Sequence, residues 1–125
     1  MKCIKIYSIL SNFENETTTI EAIAEYDEKE NVINYTEEDL KVKIKIGKDK
    51  VLIDRKNEDY CLSLEFIPNE KVECKYEVKS IGLNFDIDVI TKVLEIEKNR
   101  IYINYEIFND NKSIGTFEYK LIIKE

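Results

Sequence analysis

The residues of this chain that could carry chemistry are an arginine, several tyrosines and three cysteines. Histidine is absent, which removes Ser–His and Cys–His nucleophile pairs and every imidazole metal site. The glycines are too few and too far apart for a phosphate-binding loop. Cys3, Cys61 and Cys74 match no zinc or redox spacing. We therefore predict no catalytic residue, no metal site and no cofactor, and we place an enzyme last among the candidate functions.

Arg55 is the residue that most suggests a binding site. It follows Val51 and Ile53 at a spacing of two, so it points inward if the three lie on one strand. An inward guanidinium needs an acceptor, because an unpaired buried charge is very costly. One interpretation is recognition of a carboxylate or phosphate, as in fatty-acid-binding barrels with interior arginine and tyrosine. The other, which we favour from sequence, is an ion pair with Glu or Asp at a barrel mouth.

Four tyrosines share the apolar phase of their own segments and could offer hydroxyl groups to the same ligand. They are Tyr35, Tyr76, Tyr105 and Tyr119. Most tyrosines in such positions belong to the core, but a phenol at an open barrel end is a natural hydrogen-bond donor. Together with Arg55 they form the predicted ligand-binding set, for a small molecule or a peptide.

The distribution of charge excludes several partners. The net charge of −7 disfavours nucleic acid and anionic membrane surfaces, both of which require a basic face. The acidic run 37–39 is linear and rarely supplies the convergent oxygens that a divalent cation needs. A basic strip runs along one segment, and we interpret it as the outward face of a strand and its turn. Its members are Lys41, Lys43, Lys45, Lys48 and Lys50.

Length and the N-terminal residues predict one cytoplasmic domain spanning 1–125. A chain of 125 residues fits the size of a single domain. No segment reaches the apolar length of a membrane span, and Lys5 interrupts any signal-peptide core. In a reducing compartment we expect the three cysteines to be free thiols.

The elements that must position these residues are strands, because apolar and polar residues alternate along nearly the whole chain. The clearest case is 40–46, where Leu, Val and Ile alternate with Lys. Roughly nine or ten such segments, joined by short turns, predict an all-β, antiparallel meander closed into a calycin- or lipocalin-like barrel. The phase slips over 90–96, where we predict a bulge rather than a short helix. We expect a tight turn at Pro68 and Asn69.

Two cysteines pose a conflict. Cys74 keeps the apolar phase of its segment, which predicts a buried thiol, whereas Cys61 is out of phase with Leu62 and Leu64, which predicts an exposed one. A simple hairpin register about Pro68 would instead place both on one face, where a disulfide could form. The sequence leaves these alternatives open.

Several segments together resemble the YwiB-like family of small bacterial proteins. They are 32–38 (Val-Ile-Asn-Tyr-Thr-Glu-Glu), 51–55 (Val-Leu-Ile-Asp-Arg), 74–76 (Cys-Lys-Tyr), Gly82, Thr91, 101–105 (Ile-Tyr-Ile-Asn-Tyr) and the apolar strand 117–123. Family members tend to have Gly soon after the arginine, where this chain has Lys56 and Asn57. The resemblance covers most of the chain and implies a calycin-like barrel of unknown function with no catalytic residue.

Two functions remain. The first is non-enzymatic binding of a small ligand or peptide in the barrel or at its mouth. The alternative is a protein-interaction or structural module, acting as a homodimer through an exposed face or edge strand. That alternative rests on apolar residues that are out of phase with their strands, namely Ile9, Ile23, Leu52 and Ile122.

Overall fold

The structure, a computed structural model, describes residues 1–12, 14 and 16–124. Its strands are β1 Lys2–Asn12, β2 Thr17–Asp27, β3 Val32–Glu37, β4 Leu40–Ile46, β5 Val51–Lys56, β6 Tyr60–Phe66, β7 Lys71–Val78, β8 Leu83–Glu97, β9 Arg100–Asn109 and β10 Lys112–Lys124. One 3-10 turn, Lys79–Ile81, lies between β7 and β8. Across the described residues, no helix combines the length and the apolar character needed to cross a membrane.

The ten strands form one closed antiparallel barrel. Each strand pairs with the next in the chain, and β1 pairs with β10 to complete the circle. Short turns favour this meander, because adjacent antiparallel strands need few connecting residues. Closure removes the free edges that an open sheet of this size would expose. The predicted meander barrel and its strand number are therefore confirmed.

The core follows from the alternation along each strand. Ile33, Ile44, Ile53 and Leu64 lie opposite one another on β3 to β6, and all four are buried. Side chains of successive residues point to opposite faces, so every second residue enters the interior. Between these buried residues the strands carry exposed lysines, as on β4. The interior is thus apolar, and the outer surface is charged.

The predicted bulge and the predicted turn are both present. The pairing of β8 with β9 shifts between Thr91 and Val93, so Lys92 is the extra residue. In the turn, the amide of Glu70 donates to the carbonyl of Ile67 at 3.2 Å. Pro68 and Asn69 lie between them, and Asn69 has a φ of 63°. Proline followed by a residue with positive φ is typical of a type II turn.

The observed register resolves the position of the two cysteines. Cys61 pairs with Glu77, and this register places Cys61 and Cys74 on opposite faces of the sheet. Cys74 is buried and accepts a hydrogen bond from the Glu65 amide at 3.4 Å, whereas Cys61 is half-exposed. The phase of each cysteine within its own strand predicted this arrangement. All three cysteines are unpaired.

Truncation of one inward isoleucine tests the packing of the barrel. Ile103 is 0% exposed and lies between Leu94 and Tyr119 on the neighbouring strands. We predict that Ile103→Ala lowers the free energy of unfolding by about 2–5 kcal/mol, because the cavity is enclosed on both sides. Urea unfolding followed by circular dichroism measures the change. Ile114→Ala is the matched control, because Ile114 is 57% exposed, and its effect should stay within about 0.5 kcal/mol. Equal effects at the two positions would contradict the packing described.

Candidate binding site at Arg55

Arg55 points into the barrel near one end. It lies opposite Val42 on β4 and Leu62 on β6, two residues that contribute to the interior. Residues directly opposite on antiparallel strands share a face, so Arg55 is on the inner face too. The strand ends one residue later, at Lys56, and Arg55 is half-buried. Its charge is therefore held just inside the mouth of the barrel at this end.

No described carboxylate forms an ion pair with Arg55. The guanidinium instead lies over an aromatic face, since its carbon is 5.9 Å from the centroid of the Tyr119 ring. The acidic residues at this rim, Glu37 and Asp39, influence neighbouring tyrosines, but neither comes within ion-pair distance of Arg55. The ion pair at the barrel mouth that we favoured from sequence is therefore wrong for the part of the chain that is described.

Four tyrosines lie close enough to the guanidinium for its charge to affect their pKa. They are Tyr35, Tyr60, Tyr105 and Tyr119. Burial raises the pKa of all four, and the positive charge of Arg55 opposes that rise. The effect of burial prevails, and the pKa of Tyr105 reaches about 12. All four phenols consequently remain protonated at neutral pH and act as hydrogen-bond donors.

One of these hydroxyl groups, that of Tyr119, is buried with no hydrogen-bond partner among the described residues. The hydroxyl groups of Tyr35 and Tyr119 are close enough to influence each other, but no described group meets both the distance and the angle of a hydrogen bond to the buried Tyr119 Oη. A buried polar atom left unsatisfied is unfavourable. The charge of Arg55 acts on the same hydroxyl. An acceptor placed between Tyr119 and Arg55 would satisfy both groups.

Tyr76 occupies a different position from the other predicted tyrosines. It lies opposite Leu62, which separates it from Arg55. Its ring contacts Tyr60, with centroids 6.0 Å apart, and Phe85, at 5.9 Å. These three rings form an aromatic row at the mouth. Tyr60 was missing from the predicted set although it shares the phase of Leu62, which was the available signal.

The mouth at this end is apolar and open. Leu83 and Phe85 share the inward phase of buried Ile87 and Val89, but they are 46% and 37% exposed. The cause lies in the pairing, because β8 meets β9 only from Asp88 onwards. The first residues of β8 thus extend beyond the β9–β10 hairpin. Their side chains face the opening instead of a packed neighbour.

The centre of the barrel is filled. Fully buried apolar side chains from β1, β3, β4, β9 and β10 meet there, namely Ile6, Ile33, Ile44, Ile103 and Leu121. A ligand would therefore reach Arg55 from the mouth rather than lie along the barrel axis. A separate cleft of about 1010 Å³ lies on the outer surface, and of the predicted set it includes Tyr35 alone. Within the described residues, no group of three or more acidic or cysteine side chains could hold a metal ion.

Comparison with known proteins identifies the family. Residues 4–121 match a family described as "Domain of unknown function (DUF1934)". The chain belongs to the DUF1934 family. Its structure is similar to the crystal structure of the ywiB protein from Bacillus subtilis, with a TM-score of 0.76 and 18% identity over 98% of this chain and 89% of that chain. At that identity the likeness shows the fold alone. No curated protein matches the chain.

The resemblance to YwiB-like proteins is thereby confirmed, and so is the barrel. The description of DUF1934 names no activity. The family therefore supplies the architecture, and the site at Arg55 must be judged by the chemistry of its own residues.

Buried tyrosine makes the stability of this DUF1934 protein sensitive to alkaline pH. The folded chain keeps Tyr105 protonated up to about pH 12, against an ordinary pKa of 10.0. Below pH 10 both states hold the proton, so the stabilisation is fully present. As the pH rises from 10 to 12 only the unfolded state releases it, and roughly 3 kcal/mol is lost.

Urea unfolding between about pH 9 and pH 12 measures this loss. Tyr105→Phe should lessen the decline, because one buried phenol no longer titrates. Tyr7→Phe is the matched control, since Tyr7 is half-exposed and lies on the outer face of β1. If Tyr105→Phe declined as steeply as the unmodified protein, the assignment of this effect to Tyr105 would be wrong.

Proposed function

We propose that the protein binds a small anionic molecule, without catalysis, at the mouth of the barrel beside Arg55. The observation that carries the proposal is an inward, half-buried guanidinium with no acidic partner in the described part of the chain. A cation taken partly out of water is unfavourable unless an anion compensates it. Because none of the described residues supplies that anion at Arg55, a ligand is the natural source.

The surrounding groups favour a carboxylate. A guanidinium presents parallel N–H donors that match two carboxylate oxygens. Tyr119 adds a buried hydroxyl that no described residue satisfies, and Tyr35 lies beside it. Since the pKa of both phenols is raised by burial, they donate hydrogen bonds and do not act as bases. Donors without a base or nucleophile are suited to holding an anion rather than transforming it.

The rim of the mouth favours a ligand with an apolar body. Tyr60, Tyr76 and Phe85 present a row of rings, and Leu83 is partly exposed beside them. Covering this surface removes apolar area from water, which favours binding. The net charge of the chain is −7, so long-range attraction does not assist an anion. Local contacts at Arg55 and the rim must supply the affinity. The proposed ligand class is thus a monocarboxylate with an aliphatic or aromatic tail.

Calorimetric titration with decanoate and with decanol tests this proposal. We predict that decanoate binds and that decanol, which has the same tail without the charge, binds more weakly. Arg55→Met should weaken decanoate binding by at least about tenfold, as expected for the loss of a charge-assisted hydrogen bond. Arg100→Met is the matched control, because Arg100 is exposed and pairs with Glu95 and Glu97. Equal decanoate affinity in Arg55→Met and Arg100→Met would overturn the proposal.

The same variant distinguishes a binding arginine from a structural one. Met retains the apolar stem of Arg55 and removes the charge that no described carboxylate compensates. We predict that, without ligand, Arg55→Met leaves the free energy of unfolding unchanged or raises it by about 1 kcal/mol. Chemical unfolding of both proteins measures this difference. A loss of more than about 2 kcal/mol would show instead that Arg55 stabilises the fold.

The homodimer alternative stays a prediction, and three of its four apolar residues lie on the neighbouring strands β10, β1 and β2. Ile9 and Ile122 lie on the neighbouring strands β1 and β10, where Ile122 pairs with Tyr7. Leu52 lies on β5, beside Lys45 and Glu65. Ile23 is 64% exposed and lines the outer cleft, and it pairs with Lys5 on the strand that also carries Ile9.

A further inference from the structure

The barrel is incompletely paired between β2 and β3. Only three residue pairs join these strands, from Glu25–Asn34 to Asp27–Val32. The next pair in this register would be Ala24 with Tyr35, but these two residues are not paired. Residues 17–24 of β2 therefore pair with β1 but not with β3. We call this gap, between residues 17–24 of β2 and residues 35–37 of β3, the seam.

Backbone hydrogen-bonding groups point into the seam from both sides. Glu37 and Leu40 flank a two-residue turn, so their backbones are hydrogen-bonded to each other. Successive residues of a strand direct their N–H and C=O groups to opposite sides. Those of Thr36 therefore point toward β2. On β2, the backbone groups of Glu25 face its partner Asn34 on β3. Ile23 lies two residues away on the same strand, so its N–H and C=O also point toward β3. Each strand thus presents unpaired groups of the kind that normally bind another strand.

The outer cleft lies at the point where the two strands separate. It measures about 1010 Å³, and its lining includes 23–25 from β2 and 34–36 from β3. Ala24 and Tyr35, both buried, contribute to its floor. The cleft is therefore continuous with the unpaired edges.

A second gap in the barrel, between β6 and β7, differs from the seam because a loop covers it. β6 and β7 pair only over Tyr60–Ser63 with Lys75–Val78. There, however, the Glu65 amide donates to Cys74 Sγ, and the amide of Asn69 in the following loop donates to the carbonyl of Thr91 at 3.1 Å. The loop at Pro68 thus supplies hydrogen bonds around that gap. At the seam, the described residues provide no equivalent segment.

The wall of the cleft is cationic. Lys41, Lys43 and Lys56 line it, all three are exposed, and none forms an ion pair with any described residue. Two acidic residues share the wall, Glu25 and Asp54, and Asp54 already accepts a hydrogen bond from the Ser63 hydroxyl. On a chain with a net charge of −7, this local excess of lysine favours an acidic partner.

We propose that the seam receives an extended, acidic peptide segment of another protein, which adds as a strand beside β3. The backbone of the segment would bond to the free groups of Thr36 and Ile23, as in recognition by strand addition. Its inward side chains would be small and apolar, because they face Ala24 and Tyr35. Its outward side chains would be Asp or Glu, directed toward the lysine wall. This site is separate from Arg55 and does not depend on ligand binding there.

Nuclear magnetic resonance with a defined probe tests the proposal. The probe is a capped hexapeptide of alternating Glu and Val, compared with its Lys and Val counterpart. We expect the Glu peptide to slow hydrogen exchange of the Ile23 and Thr36 amides and to bind more tightly than the Lys peptide. Lys41→Glu combined with Lys43→Glu should lower the affinity for the Glu peptide by about tenfold. Lys48→Glu combined with Lys50→Glu, at the far end of β4, makes the same charge change and should leave the affinity unaltered.

Backbone recognition has its own control. A Glu and Val peptide that is N-methylated at every second residue keeps its charge but loses the donors along one edge, so it should bind more weakly. Equal binding of the methylated peptide would show attraction by charge alone and would overturn strand addition. Unchanged exchange at Ile23 and Thr36 in excess peptide would overturn the site. Protection of these amides only in a dimer of the chain would assign the seam to a second copy instead.

Discussion

Closure of the barrel between β1 and β10 is the constraint on which the rest of the structure depends. Eight residue pairs, from Lys5–Lys124 to Asn12–Phe117, join the first and last strands. Once the sheet is closed, each strand has one face that cannot reach solvent except at the two ends. The alternation of every strand must therefore agree with that of its neighbours, because a slip of one residue would turn its apolar side chains outward.

The same constraint explains why Arg55 lies near the end of its strand. A charged residue at an inward position in the middle of a strand would be buried among isoleucines, at a cost that few folds tolerate. Arg55 is inward but near the end of β5, where its guanidinium meets aromatic rings and the opening. Tyrosines fit this boundary because their rings pack against the core while their hydroxyls remain polar. The filled centre and the position of Arg55 and the tyrosines near the mouth are two consequences of one closed inner face.

Much of the fold could be predicted because period two is a local property. The strand at 40–46, the bulge after Thr91 and the turn at Pro68 depend on residues close together in sequence. The inward phase of Arg55 was predictable for the same reason. The lack of an acidic partner among the described residues was not, since it depends on which strands are adjacent and on where Glu37 and Asp39 lie relative to β5. The conflict between Cys61 and Cys74 likewise required the β6–β7 register.

The seam could not be predicted from the sequence, because alternation predicts which residues form strands but not where the pairing between two strands ends. β2 has eleven residues and β3 has six, yet they share only three pairs. Tyr35 lies where this irregularity meets the mouth, as it contributes to the floor of the outer cleft and its hydroxyl lies beside Tyr119. A strand added at the seam would cover Tyr35 from outside, while a ligand at Arg55 would approach it from within. The irregular pairing at the seam and the polar groups at the mouth thus meet at one side chain, Tyr35.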